Sequence, residues 1–409
     1  MSTLTCSRPS QDTAPASPRQ RLVTGPMALL FLDSFGTLTS FYLLLAVTPL
    51  YAAAAGAGTA GAGLVTGVLL LGTVAAEVLS SAVMKRCGYL PALAAGAVLL
   101  AVPTLALLAP GSLAIMVAVS FVRGFGFGLG TVASGALAAE LLPPERRGEG
   151  LGLYGAVDSA PGIVALPAGI WLADHFGFSL VVVIAAVTAL APAVAFGWLR
   201  RQTRGLGRGL AAGSEESGGL RAGLRDGAQL RLALIFATST VAAGVVASFL
   251  PLARGLSADI AADGLLAQAL TATISRWWAG RHGDRHGHAR LLVPGLVMGA
   301  AGMIAMLALT VPVAVIAGMC VFGIGFGIVQ NATLALMMER VPASGIGTAS
   351  AIWNLAYDAG YGAGPAAFGL FVMHTGYPAG LALTGLLMIV ALPAARAGRA
   401  LTRSGAGSR

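Results

Sequence analysis

Two stretches of the sequence that lie about 200 residues apart follow the same pattern. The first begins at Arg123 with R-G-F-G-F-G-L-G and, after an apolar run, continues with E-L-L-P-P-E-R-R-G. The second begins at Phe322 with F-G-I-G-F-G and continues with E-R-V-P-A-S-G-I-G. The matching acidic positions are Glu140 with Glu339 and Asp158 with Asp358. A duplication of this length predicts two similar halves related by a single operation.

The composition predicts that most of the chain lies in a lipid bilayer. Of 409 residues, 56% are hydrophobic and 10% are charged, and the mean hydropathy is +0.83. Soluble proteins carry roughly 25% charged residues, and a soluble fold of this size cannot bury so much apolar surface.

The three cysteines, Cys6, Cys87 and Cys320, have no paired spacing. Neither a disulfide scaffold nor a structural metal site is therefore expected.

Apolar segments of about 20 residues, the length that spans the hydrocarbon layer, recur twelve times. They predict an all-α membrane protein with twelve transmembrane helices in two pseudo-symmetric six-helix bundles, 26–199 and 229–397. Residues 200–228 are rich in Gly, Arg, Glu and Ser and indicate a cytoplasmic linker. Residues 1–25 lack the apolar core of a cleaved signal peptide and are expected to form a disordered cytoplasmic tail, and residues 398–409 a second tail. The predicted spans are 27–50, 60–83, 90–109, 112–139, 149–173, 178–199, 229–252, 262–280, 290–309, 312–338, 347–373 and 378–397.

The basic residues predict the orientation. Of the 25 Lys and Arg residues, all but Arg123, Arg254 and Arg276 fall in the two tails, the linker and every second loop. The positive-inside rule then puts both termini and the linker in the cytoplasm, as in a multi-pass protein of the cell membrane. Because these residues flank membrane spans, the net charge of +9 indicates contact with anionic lipid rather than with nucleic acid.

The loop between predicted helices 8 and 9 carries the sharpest motif. From Gly280 it reads G-R-H-G-D-R-H-G-H-A-R, which includes Asp284, Arg285, Gly287 and Arg290. The motif resembles the G-x-x-x-D-R-x-G-R-R loop of the major facilitator superfamily, which also has twelve spans and a 6+6 repeat. The resemblance covers about residues 26 to 397, and it implies a secondary transporter in which this loop acts as a gate. Asp284 is expected to cap a helix or to pair with an arginine.

Within that superfamily, the sequence resembles the drug-efflux type. Arg123, followed by closely spaced glycines, is similar to the helix 4 motif R-x-x-x-G of that branch. The resemblance implies proton-coupled export of small amphipathic molecules. The expected partners are the small-molecule substrate, protons and membrane lipid, the chain is expected to be a monomer, and no cofactor is expected.

Other functions remain open at this point. A nutrient or metabolite importer or facilitator of the same fold fits the same pattern of spans, and a membrane sensor is a third alternative. An enzyme is not predicted, because the sequence contains no His-Glu-x-x-His motif, no recognisable Ser/His/Asp set and no phosphate-binding loop.

Polar residues inside the predicted spans define a candidate proton and substrate site. An ionised group at the bilayer centre costs roughly 2.5–3.5 kcal/mol, so these residues need partners or a watery cavity. Counting along helices 4 and 5 puts Arg123 and Asp158 at about the same depth, which predicts an ion pair. Arg276 is expected to come within reach of Asp284. The candidate residues are Asp33, Arg123, Asp158, Arg276, Asp358, Gln330 and Asn331.

The alternative for these residues is a structural role, in which each carboxylate or amide pins a helix by hydrogen bonds. Glu77 is interpreted as a structural residue near the membrane interface. His282, His286 and His288 are interpreted as a solvated cytoplasmic cluster rather than a metal site. The two G-x-G-x-G runs lie in apolar spans and predict close helix packing rather than nucleotide binding.

Overall fold

The computed structural model describes residues 23–109, 112–142, 147–192, 223–253, 255–342 and 345–396. The predictions for residues 1–22 of the first tail, for 200–222 of the linker and for the tail 398–409 fall outside these ranges. All structural statements below refer to the described residues.

Twelve long α-helices lie within the described residues, and the predicted fold class is confirmed. The helices are α1 (Gly25–Ala52), α2 (Gly58–Cys87), α3 (Tyr89–Ala101), α4 (Leu113–Leu141), α5 (Arg147–Phe176), α6 (Phe178–Leu190), α7 (Gly227–Phe249), α8 (Ala258–His286), α9 (Leu292–Ala305), α10 (Pro312–Met338), α11 (Ile346–Thr375) and α12 (Tyr377–Val390).

The helices of the described chain differ in hydropathy. By length and composition alone, eight helical stretches of the described chain can cross a membrane, and one of them, Gly25–Cys87, contains both α1 and α2. The described part of α6 is apolar but shorter. Helices α8 and α11 are not among these stretches. Both pack against the opposite half of the molecule, so their polar residues need not meet the lipid.

The two halves repeat the same helix packing. Helix α4 packs against α2 and α3 as α10 packs against α8 and α9, and α1 packs against α5 as α7 packs against α11. Glycines with positive φ follow the matching helices: Gly88 (82°) after α2, Gly287 (89°) after α8, Gly177 (84°) after α5 and Gly376 (82°) after α11. The halves meet through α2 with α11 and through α5 with α8. The internal duplication therefore corresponds to two similar bundles.

The glycine runs hold three helices together in each half. On α4, a Cβ at Gly124 would overlap the backbone oxygen of Leu69 in α2, and Gly126 faces α3 in the same way. On α10, Gly323 meets the backbone of α8 and Gly325 that of α9. Residues four apart share a face of a helix, whereas residues two apart do not. Alternate glycines of one helix therefore pack against different neighbouring helices. The prediction of close helix packing is confirmed.

Candidate functional site

A cavity of about 130 Å³ lies between the two halves and is called the central cavity here. Its walls come from α1 and α5 of the first half and from α7, α8, α10 and α11 of the second. Of the predicted site residues, Arg276 and Gln330 line it. The remaining lining is Tyr42, Ser159, Gly162, Ile163, Leu166, Ala243, Gln268, Ala269, Ala272, Thr273, Phe326, Tyr357 and Tyr361.

Arg276 joins the two halves across this cavity. Its Nη2 donates a hydrogen bond of 3.0 Å to Oγ of Ser159 in α5. The expected approach of Arg276 to Asp284 does not occur, because the side chain points into the cavity rather than along α8. Asp284 lies in the last turns of α8, where its side chain is 76% exposed. The long side chain of Arg276 therefore serves the contact between the halves.

A second contact between the halves runs along α2 and α11 and is called the α2–α11 seam here. At one end, the Thr59 hydroxyl donates to the backbone oxygen of Gly369 over 3.1 Å. Farther along, a Cβ at Gly67 would lie 2.9 Å from that of Ala366. The seam extends from this closely packed end to the middle of both helices.

The middle of the seam holds two acidic side chains in contact. Glu77 in α2 and Asp358 in α11 face each other where these helices pack, near enough for a hydrogen bond between their carboxyl groups, and Asp358 is buried. Two carboxyl oxygens can form such a bond only when one of them carries a proton. Glu77 lies ten residues before the end of α2 and is half-buried against the other half. Its position near the membrane interface stays a prediction.

Two more predicted acids share a small cavity inside the first half. Asp33 of α1 and Asp158 of α5 line a space of about 10 Å³, which is about the size of one water molecule. Asp33 is 4% exposed. One oxygen of Asp158, Oδ1, is buried and lacks a hydrogen-bond partner within the described chain. The two carboxyl groups thus meet the same enclosed, water-sized space.

Three hydroxyl groups form the wall of this small cavity. Ser34 Oγ lies 3.0 Å from Ser134 Oγ and 2.6 Å from the Tyr154 hydroxyl, and Ser134 Oγ lies 2.7 Å from that hydroxyl. The three residues come from α1, α4 and α5, and the closed triangle fixes these helices relative to one another. None of the three was predicted, because isolated Ser and Tyr residues in apolar spans carry no pattern in the sequence.

Arg123 lies elsewhere, and the predicted Arg123–Asp158 ion pair does not form in the described chain. The buried guanidinium donates from Nη2 to the backbone oxygen of Ser40 in α1 over 3.2 Å, and its Nε has no hydrogen-bond partner there. Asp158 shares its cavity with Gly130 and Ser134 of α4, which are about two to three turns, or about 10–16 Å, from Arg123.

The Arg123–Asp158 pair was predicted because the depth of each residue in the membrane was counted from the helix ends. Helices α4 and α5 have 29 and 30 residues, about 44 Å each, so their ends extend past a hydrocarbon layer of about 30 Å.

Arg123→Met is expected to leave the thermal unfolding temperature unchanged or to raise it. The substitution removes a buried charge that faces no carboxylate among the described residues, and Met fills a similar volume. Had Arg123 been paired, removing it would cost about 3–5 kcal/mol. Thermal unfolding of the purified protein in detergent measures the change. Arg123→Ala is the control, because it deletes the same charge but leaves a cavity. A fall for Arg123→Met as large as that for Arg123→Ala would contradict this assignment.

The predicted gating loop is partly helical. Helix α8 continues to His286, so Gly280, Asp284 and Arg285 belong to its last turns, and the chain leaves the helix at Gly287. Asp284 therefore does not cap the start of a helix. Arg290 lies in the short 3₁₀ turn His288–Arg290.

His288 rather than Asp284 fixes this segment to the rest of its half. The His288 ring is buried, and its Nδ1 lies 2.8 Å from Oε1 of Glu339 at the end of α10. Its Nε2 lies 3.7 Å from Oδ1 of Asp284, and the ring packs directly on Gly283. The interpretation of the three histidines as solvated is wrong for His288, because the glycine leaves room for its ring. Only the spacing of His288 from Gly283 could have indicated this contact.

Asn331 is separate from the central cavity although its neighbour Gln330 lines it. A Cβ at Gly280 of α8 would lie 3.4 Å from the amide nitrogen of Asn331, so Asn331 faces α8, since adjacent residues of a helix face different directions. The seven predicted site residues therefore fall into five places: the central cavity, the seam, the small acidic cavity, the Arg123 position and the α8–α10 contact.

A family model described as Major Facilitator Superfamily matches residues 30–365 and 232–404 of the chain. No curated protein matches the sequence significantly.

Solved transporters share this fold at low sequence identity. The peptide transporter POT in complex with sulfate superimposes with a TM-score of 0.71 and 16% identity, over 93% of this chain and 94% of that chain. A mutant of the nucleoside transporter NupG gives 0.69 and 16%, over 91% and 100%. The xylose transporter XylE from E. coli, partially occluded and inward open, gives 0.68 and 14%, over 90% and 96%. These likenesses concern the fold, since one fold hosts many functions.

Proposed function

Because the chain belongs to the major facilitator superfamily, we propose that it is a secondary transporter that exports small amphipathic molecules in exchange for protons. The substrate binds in the central cavity between the two bundles, and the bundles rock around it to give alternating access. The position of the cavity supports this, because both halves supply its walls and Arg276 joins them through Ser159. A movement of one half against the other would therefore change the shape and the volume of that cavity.

The observation that carries proton coupling is the contact between Glu77 and Asp358 across the α2–α11 seam. With one proton between them, the two carboxyl groups attract each other and hold the halves together. Without that proton, two negative charges face each other in a poorly solvated place and repel. Protonation is thus linked to closure of the seam, which is the linkage that a proton-driven transporter requires.

Asp33 and Asp158 form a second proton site in this proposal. Their shared cavity lies within one half, so a proton bound there does not join the halves directly. The hydroxyl triangle of Ser34, Ser134 and Tyr154 offers a chain of hydrogen-bonding groups beside both carboxyl groups. We assign to Arg123 no role in adjusting the charge of Asp158, since it lies too far away.

The orientation and location belong to the same proposal. The basic residues put the ends of α2 and α8 that carry Lys85 and Arg285 on the cytoplasmic side of the cell membrane, with both termini and the linker. The chain acts as a monomer surrounded by lipid, because each half supplies part of one cavity. The His288 segment at the cytoplasmic end of α8 serves as the gate.

Import of a nutrient or metabolite is the alternative. The solved relatives include transporters of peptides, a nucleoside and xylose. The fold permits either direction, so the direction is decided by measuring whether cells that make the protein gain or lose the compound.

A growth-inhibition screen tests the proposal. Cells that make the protein, exposed to a panel of small amphipathic compounds, are expected to become resistant to some of them, and a protonophore should remove the difference. Asp158→Asn should abolish the resistance at equal expression, because it deletes one carboxyl group of the proton site. Asp174→Asn, which alters an exposed acid on the same helix, is the matched control. Increased sensitivity would indicate import, and resistance that persists with the protonophore would exclude proton coupling.

A further inference from the structure

The lining of the central cavity carries charge of one sign. Arg276 is its one ionised side chain, and no carboxylate lines it among the described residues. Asp358 follows Tyr357 in α11, but its carboxyl group is engaged with Glu77 in the seam. A cationic ligand in the cavity would therefore meet a guanidinium with no carboxylate in the same lining, whereas an anionic ligand would neutralise its charge.

The hydrogen-bonding capacity of Arg276 is largely unused. Arginine has five N–H donors, and the described chain supplies one acceptor to them, Oγ of Ser159. The amides of Gln268 and Gln330 line the same cavity. A planar guanidinium with free donors matches a carboxylate or sulfonate, which accepts two parallel hydrogen bonds.

Four aromatic side chains contribute to the wall, and the space is small. Tyr357 and Tyr361 stack with ring centroids 5.6 Å apart, and Phe326 and Tyr42 complete the wall. The volume of about 130 Å³ lies below the roughly 300–1,000 Å³ of cavities that hold drug-sized ligands. The space suits one flat apolar ring and a compact polar group.

From these observations we propose that the substrate class is a small organic anion with a flat apolar body, and that Arg276 holds its anionic group. The inference rests on the proposed transport function and names the ligand of the same cavity. The anion replaces Ser159 as the acceptor of an Arg276 hydrogen bond, so its binding weakens the link between α5 and α8. Binding would thereby loosen the contact between α5 and α8, which belong to different halves.

Titration calorimetry with three probes of one size tests the proposal on the purified full-length protein. Benzenesulfonate is a permanent anion, benzamide is neutral and benzyltrimethylammonium is a permanent cation. Benzenesulfonate is expected to bind, and the other two are expected to bind at least about tenfold more weakly, which corresponds to about 1.4 kcal/mol. Arg276→Gln should weaken benzenesulfonate binding by about tenfold or more. Arg276→Lys should weaken benzenesulfonate binding less, because lysine keeps the positive charge and loses only the paired N–H donors of the guanidinium.

Two further variants separate recognition from a general loss of structure. Arg281→Gln removes a positive charge from the same helix at an exposed position over Trp277, and it should leave binding unchanged. Ser159→Ala removes the competing acceptor and should leave binding unchanged or tighten it. Thermal unfolding verifies that each variant is folded.

Equal or tighter binding of benzyltrimethylammonium, undiminished binding of benzenesulfonate by Arg276→Gln, or no binding of benzenesulfonate to the parent protein would each overturn the substrate class. These outcomes leave the growth screen unaffected, because that screen uses compounds of every charge. Conversely, specific anion binding by a protein that gives no proton-dependent resistance would uphold the ligand class and refute proton-coupled export.

Discussion

Asp358→Asn is expected to abolish proton-dependent transport while the protein remains folded. The Asn amide donates a hydrogen bond to the Glu77 carboxylate at every pH and so imitates the protonated pair. The α2–α11 seam then keeps its attraction when the external or internal pH changes. Glu77→Gln should have the same effect, because it places the permanent donor on the other helix. Transport of any compound identified by the growth screen should fall to the level of cells without the protein.

A distance measurement tests this expectation without a known substrate. Spin labels at Arg86 near the end of α2 and at Ile346 at the start of α11 occupy exposed positions at the same end of the bundle. In the parent protein, raising the pH removes the shared proton, the two carboxylates repel, and the distance between the labels should increase. In Asp358→Asn at most one negative charge remains, so the distance should not change with pH.

Asp259→Asn is the control for this measurement, because Asp259 is an exposed acid in the first turn of α8, outside the seam. It should respond to pH like the parent protein. If Asp358→Asn also responds like the parent, the seam does not sense protons. If it unfolds at a much lower temperature than Glu77→Gln, the carboxyl group is structural instead.

Gly124→Ala is expected to cause the largest loss of stability among single-methyl additions to α4. The added Cβ would overlap the backbone oxygen of Leu69 in α2, and a backbone atom cannot move aside as a side-chain end can. Forcing extra atoms into a packed interior typically costs about 1–3 kcal/mol, and occasionally more. Thermal unfolding in detergent should show a clearly lowered transition, together with reduced yield of folded protein.

Gly135→Ala on the same helix is the matched control, since nothing lies within 4 Å of a Cβ there. It should leave stability unchanged or raise it slightly, because Ala favours the helix more than Gly does. Gly323→Ala, at the corresponding contact of α10 with α8, should behave like Gly124→Ala. Similar unfolding temperatures for Gly124→Ala and Gly135→Ala would refute the role of Gly124 in close packing.

The fold could be predicted from the sequence, because the length of an apolar run and the spacing of glycines are local features of the chain. A run of about 20 apolar residues predicts one span wherever it occurs. Helices α8 and α11 were also recognised, because each contains one of the predicted apolar spans, 262–280 and 347–373.

The site was less predictable because it depends on distances between helices. Glu77 and Asp358 are far apart in the sequence, and no local pattern indicates that α2 and α11 meet. The relative depth of Arg123 and Asp158 depended on how far each helix extends beyond the lipid, which apolar length does not report. Arg276 was recognised as important, but its partner Ser159 is an ordinary serine until the two halves are brought together.

The lone guanidinium of the central cavity has a consequence for membrane voltage. In an exchange of one entering proton for one departing monovalent anion, both movements carry positive charge inward, so each cycle is electrogenic. An inside-negative potential of 100 mV would then contribute about 4.6 kcal/mol per cycle, from about 2.3 kcal/mol for each of two charges. Exchange of a proton for a monovalent cation would be electroneutral and would gain nothing from the potential. The positive charge of Arg276, which selects an anionic substrate, thus makes the membrane potential a driving force for export in addition to the pH difference.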